Sequence, residues 1–160
     1  MKTKNYTGMK TVTIFASLLC TMNIAWIIVQ SYCISTQSGE GCIRWHEELY
    51  PLQLAIFIGR LLFMTSFYAL VMVFLFKQLK AIKNGMLFPS ANTRIMYAIA
   101  TCYLIGDCCN DNVSTTLLTG ESGGSFVINT DTLIYTALLV VFAMTYNIAV
   151  KVSEENNLTI

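Results

Sequence analysis

Apolar residues in this chain come in long runs rather than at the spacing of a single helix face. Residues 11–30 carry no charge, and residues 52–76 carry only one, Arg60. Residues 93–118 are apolar in their first half but hold Asp107, Asn110 and Asp111 in their second. Residues 132–150 are again uncharged. A helix needs about 20 apolar residues to cross the hydrocarbon core of a bilayer. The pattern therefore predicts four membrane-spanning helices, the third the most polar.

Composition supports this. Of 160 residues, 55% are hydrophobic and 12% are charged, where a soluble domain carries about 25% charged residues. The length fits one domain over residues 1–160. The expected fold class is all-α, an integral membrane four-helix bundle.

The charges set its direction, because Lys and Arg collect in cytoplasmic loops. Lys2, Lys4 and Lys10 precede the first run. Lys77, Lys80, Lys83 and Arg94 surround the second connection, and Lys151 follows the fourth run. The first connection holds only Arg44, and the third holds no basic residue. The asymmetry predicts N-in and C-in. The first run exceeds a usual signal core, and no small-x-small cleavage site follows Gln30, so that helix is expected to be retained.

The connections add detail. Residues 45–50 suit a short helix, with Trp45 and Tyr50 at headgroup level. Lys77, Lys80 and Lys83 recur every three residues, which puts them roughly on one face toward an anionic lipid surface. Gly85 is a helix stop, and Ser90 or Asn92 is a cap for the third helix. The third connection contains GESGGS and reads as an exposed turn.

A basic helix end, then Asn84 and Gly85, then Phe88 and Asn92 leading into an apolar helix, resembles a bacterial family of short four-helix membrane proteins, catalogued as domain of unknown function 2975. The motif covers about 20 residues, and the four-run layout extends the likeness over most of the chain. The resemblance implies multi-pass insertion in the bacterial cytoplasmic membrane. It also implies a small helix-turn-helix regulator as protein partner, and it carries over no catalytic residue. The six cysteines exceed what the family leads one to expect.

Two ionisable residues fall inside predicted spans, where a charge is costly unless paired or wet. At 1.5 Å per residue, Arg60 lies roughly 13 Å below the outer surface and Asp107 roughly 10 Å below it. Arg60 and Asp107 are therefore expected to pair, either as a structural clasp or as a polar site for an ion, proton or ligand. Asn23, Tyr103, Asn110 and Asp111 are candidates for a polar pocket at that level. Ala98, Cys102 and Gly106 form a small-residue stripe, and Ala55 with Gly59 a second one, both suited to close helix packing.

Cys33 and Cys42 are a candidate disulfide in the first connection, given an oxidising exterior. Cys108 and Cys109 are adjacent, unlike the C-x-x-C of redox enzymes. With one histidine, His46, and no C-x-x-C, no metal site is expected. No P-loop, G-x-G-x-x-G or H-E-x-x-H occurs, so neither an enzyme nor a cofactor is expected. The basic patch favours lipid over direct nucleic-acid contact. Three function classes follow. The first is a non-enzymatic sensor or regulatory partner protein. The second is a small transporter or channel subunit built on Arg60 and Asp107, and the third is a membrane thiol-disulfide protein.

Overall fold

The computed structural model describes residues 2–36, 43–86, 88–118 and 126–158. Four helices contain almost all of them: α1 (Lys2–Thr36), α2 (Tyr50–Lys83), α3 (Ala91–Asn112) and α4 (Thr130–Leu158). A π-helical segment, Val113–Leu118, continues α3. Among the described residues there is no strand. Three segments are long and apolar enough to cross a membrane: Tyr6–Thr36, Tyr50–Lys83 and Thr130–Glu155. The third helix, expected as a fourth span, does not meet that standard, because Asp107, Asn110 and Asp111 make its second half polar.

Side-chain contacts fix the directions of the helices. Arg60 meets Ser31, while Thr21, nearer the start of α1, meets Met72, so α1 and α2 are antiparallel. Arg60 meets Asn110 and Gln78 meets Asn92, so α2 and α3 are antiparallel. Asp107 meets Thr132 and Tyr103 meets Tyr135, which reverses α4 against α3. The backbones pack in chain order, α1 on α2, α2 on α3 and α3 on α4. The result is an open row with α1 and α4 at its edges, rather than a ring of four.

Each edge helix docks by one narrow seam. On α1, Thr13, Ser17, Cys20, Ile27 and Ser31 are buried and Ile24 is half-buried. On α4 the corresponding positions are Thr132, Thr136, Leu139, Ala143, Tyr146 and Val150. Both series alternate steps of three and four, the 3.5-residue period of coiled-coil packing. The inward residues are mostly small or hydroxylic, and the outward ones are large: Phe15, Trp26, Phe142 and Ile148 are all exposed. This inverts the soluble pattern, as expected where lipid is the outer solvent and close backbone approach supplies the packing. Seam hydroxyls return to their own helix, Ser17 Oγ to Thr13 O at 2.8 Å and Thr136 Oγ1 to Thr132 O at 2.7 Å.

The central hairpin is tighter. A Cβ on Gly106 would stand 3.0 Å from the Met64 backbone nitrogen, and one on Gly59 would stand 2.8 Å from Cys109 Sγ. Both glycines thus serve the close packing expected of them, with Ala98 and Cys102 half-buried and Ala55 exposed. The hairpin turns where Gly85 takes φ 82°. Gly85 N donates to Ile82 O and Met86 N to Ala81 O, the paired bonds of a Schellman stop. At the start of α3, Ser90 stands at the cap position but makes no side-chain cap bond. Asn92 does not cap either; it turns inward and donates to Gln78 Oε1 at 2.9 Å. Residues 47–49 form a turn leading directly into α2 at Tyr50, in place of the short helix expected over residues 45–50.

Candidate functional site

Polar side chains gather near the α1 C-terminal, α2 N-terminal, α3 C-terminal and α4 N-terminal ends. Arg60 is their centre, 3% exposed. Its Nε donates to Asn110 Oδ1 at 3.0 Å and one terminal nitrogen donates to Ser31 Oγ at 3.0 Å. The other terminal nitrogen donates to Gln30 Oε1. The guanidinium therefore ties α1, α2 and α3 together through three neutral acceptors.

The expected pairing of Arg60 with Asp107 is not what forms. Helical geometry explains why. Asp107 and Asp111, one turn apart, share the α3 face toward α4, while Asn110 looks toward α2. Thr132 Oγ1, on α4, lies 2.9 Å from Asp107 Oδ2 and 3.0 Å from Asp111 Oδ2. A threonine hydroxyl has one proton to donate, yet two carboxylates converge on it. The joint lies at the first turn of α4, whose positive end favours negative charge, and Asn129 Oδ1 caps that turn by accepting from Asp131 N at 3.2 Å.

Of the expected polar pocket, Asn110 and Asp111 are present but divided between these two networks. Tyr103 is a polar neighbour of Asp107, and its ring packs between Phe67 at 5.3 Å and Tyr135 at 6.5 Å. Asn23 does not join them. It is exposed on the outer side of α1 and donates to its own Leu19 O at 2.9 Å. It lies off the seam that passes through Cys20 and Ile24.

Two buried amides that were not anticipated close this end. Gln53, fully buried, donates to Arg44 O and Thr116 O, both at 2.8 Å, and accepts from His46 N at 3.0 Å. Asn112 accepts from Val127 N at 2.8 Å and donates to Val127 O at 2.6 Å and Cys108 O at 2.8 Å. Each amide serves backbone groups of two segments, fastening one interhelical connection to the π-helical segment or the end of α3. Beneath them Ile56, Val113 and Leu117 form an apolar core joined by Ile34, Ile43 and Phe57.

The Cys33 thiol is free at the end of α1, and Cys42, its expected partner, lies outside the described residues. Cys108 and Cys109 are also free and half-buried. Among the described residues, no group of three His, Cys, Asp or Glu side chains is arranged to hold a metal.

At the other end of the hairpin, Lys77 and Lys80 flank a cavity of about 210 Å³ between the end of α2 and the start of α3. Lys83 is not part of its wall. Three-residue steps drift about 60° per step on a helix, so Lys83 stands about 120° around α2 from Lys77. The three lysines thus spread over an arc of about 120°, with Lys80 at its middle.

In comparisons with family models, with curated proteins and with solved structures, the chain matches none.

Proposed function

We propose that this chain is a non-enzymatic protein of the bacterial cytoplasmic membrane. On this reading it crosses the bilayer four times with both termini inside, and acts as a small sensor or regulatory partner. The observation that carries this is a common register. Projected along the packed helices, Lys10, Lys80, Lys83 and Lys151 fall at nearly one level. Gln30, Arg60, Asn110 and Thr132 fall at another, about 20 residues away, or roughly 30 Å. That is the thickness of a hydrocarbon core. The third helix runs between those levels antiparallel to both α2 and α4, so it crosses as they do despite its polarity.

The same register moves the polar groups. Arg60 and Asp107 lie at the outer edge of the apolar belt rather than roughly 10 Å or more inside it. Below them α3 offers no ionisable side chain of Asp, Glu, Lys or Arg from residue 95 to residue 106. A polar site confined to the outer edge suits detection better than passage. The joint of Asp107 and Asp111 with Thr132 couples that edge to α4, whose far end carries the chain beyond the basic level. The family resemblance supports a small helix-turn-helix regulator as the cytoplasmic partner.

Gentle-detergent purification from the native host should recover such a regulator with the wild-type chain. Liposomes holding the pure protein should show no more ion flux than empty ones. Protein-dependent flux that Asp107→Asn abolishes, with no regulator recovered, would replace this reading by the transporter one.

A further inference from the structure

One polar side chain in the middle of the apolar belt has most of its hydrogen-bonding capacity unused. Asn23 stands 13 residues after Lys10 and seven before Gln30. That is roughly 20 Å from the basic level and roughly 10 Å from the level of Arg60. The side chain is exposed, off the seam that docks α1 on α2. Its Nδ2 donates to Leu19 O at 2.9 Å. A side-chain amide has two N–H protons and an acceptor oxygen, so one N–H and Oδ1 remain open among the described residues. Exposed hydroxyls on the same stretch differ. Thr11 and Thr21 each give their one proton to a carbonyl of their own helix, Thr7 O and Ser17 O. Asn23 cannot be satisfied in that way, and an amide left open toward hydrocarbon is costly.

The open N–H and oxygen call for one acceptor and one donor side by side, which is what another amide offers. A second copy of the chain supplies it at the right depth. Copies inserted in the same direction all carry Asn23 at one level, and a two-fold axis along the bilayer normal sets like residues opposite each other. Each Asn23 Nδ2 can then donate to the Oδ1 of the other. A foreign helix would need its own polar group at that same depth. Leu19 and Trp26, one turn to either side of Asn23 on the same face, are exposed as well and give the amide pair apolar flanks. We propose that this face of α1 forms a parallel, two-fold contact with a second copy of the chain, with reciprocal Asn23 hydrogen bonds at its centre. The inference rests on the membrane reading of α1 but not on the sensor role.

Energy transfer between full-length chains labelled at the N-terminus with donor or acceptor dye, followed as the protein is diluted in liposomes, tests it. The wild-type chain should dimerise. Asn23→Leu should weaken association about tenfold, the worth of two interhelical hydrogen bonds in lipid. Asn23→Gln keeps the amide and should retain most of the association. Mild oxidation places the contact: Leu19→Cys should form covalent dimers above the background of the native cysteines. Ala25→Cys, about 200° around α1 from Asn23, should not. Transfer no greater than for an unrelated monomeric membrane protein overturns the proposal. Undiminished association of Asn23→Leu overturns the role of the amide, and equal cross-linking at Leu19→Cys and Ala25→Cys overturns the face. Retention of the chain in alkali-washed liposomes reads insertion separately, so a missing dimer is distinguishable from a failure of the membrane reading.

Discussion

Individual side chains hold this fold through polar bonds made in unusual places. Gln53 serves three backbone groups from two segments, so a Gln53→Leu chain keeps the volume and strands donors and acceptors. At roughly 1–3 kcal/mol for a stranded group, the variant should lose about 3 kcal/mol, read as earlier loss of the monodisperse peak on heating in detergent. An unchanged profile would show that water replaces the amide. The sequence marked Arg60 as important because a charge stood alone in an apolar run, but it did not reveal Gln53, Asn112 or Gln30. A neutral amide near a helix end resembles many surface residues. Only the fold shows that Gln53 and Asn112 are buried and that Gln30 reaches Arg60.

At the scale of elements, two features govern behaviour. The close approach of α2 and α3 depends on Gly106 more than on Gly59. An added methyl at Gly106 meets backbone, whereas at Gly59 it meets a cysteine side chain that can turn aside. Gly106→Ala should therefore cost about 1–3 kcal/mol and Gly59→Ala distinctly less, compared in the same melting measurement. The second feature is the joint between α3 and α4. Thr132→Val removes the only proton that the hydroxyl offers to Asp107 and Asp111, so the first two turns of α4 should exchange their amide hydrogens faster. Thr132→Ser should restore protection. If the valine variant is as protected as wild type, packing alone holds that end.

Sequence periodicity was informative here in a limited way. Run lengths located the helices well, because a helix able to cross a bilayer needs a nearly fixed apolar length. The inward faces of α1 and α4 were not legible, because the outward residues are the larger and more apolar ones. Asp107 was assigned to Arg60 because the depths matched. One position along a helix turns a side chain by about 100°, and depth alone carries no information about which neighbour it faces.

For the whole molecule, the open row sets the expectation. Edge helices attached by single seams leave broad apolar faces exposed, and the firm part is the hairpin of α2 and α3. It carries the polar networks around Arg60 and Thr132 at one end and the lysine-lined cavity at the other. All of this depends on α3 crossing the bilayer, which its composition alone would not require. Reporter fusions in cells test that crossing most directly. An exterior-active enzyme should work when fused after Glu47 or Asn129 and fail after Met86 or Ile160, and a cytoplasm-dependent fluorophore should give the reverse. Met86 and Asn129 reporting the same side would contradict the account, because α3 would then lie against the membrane instead of passing through it.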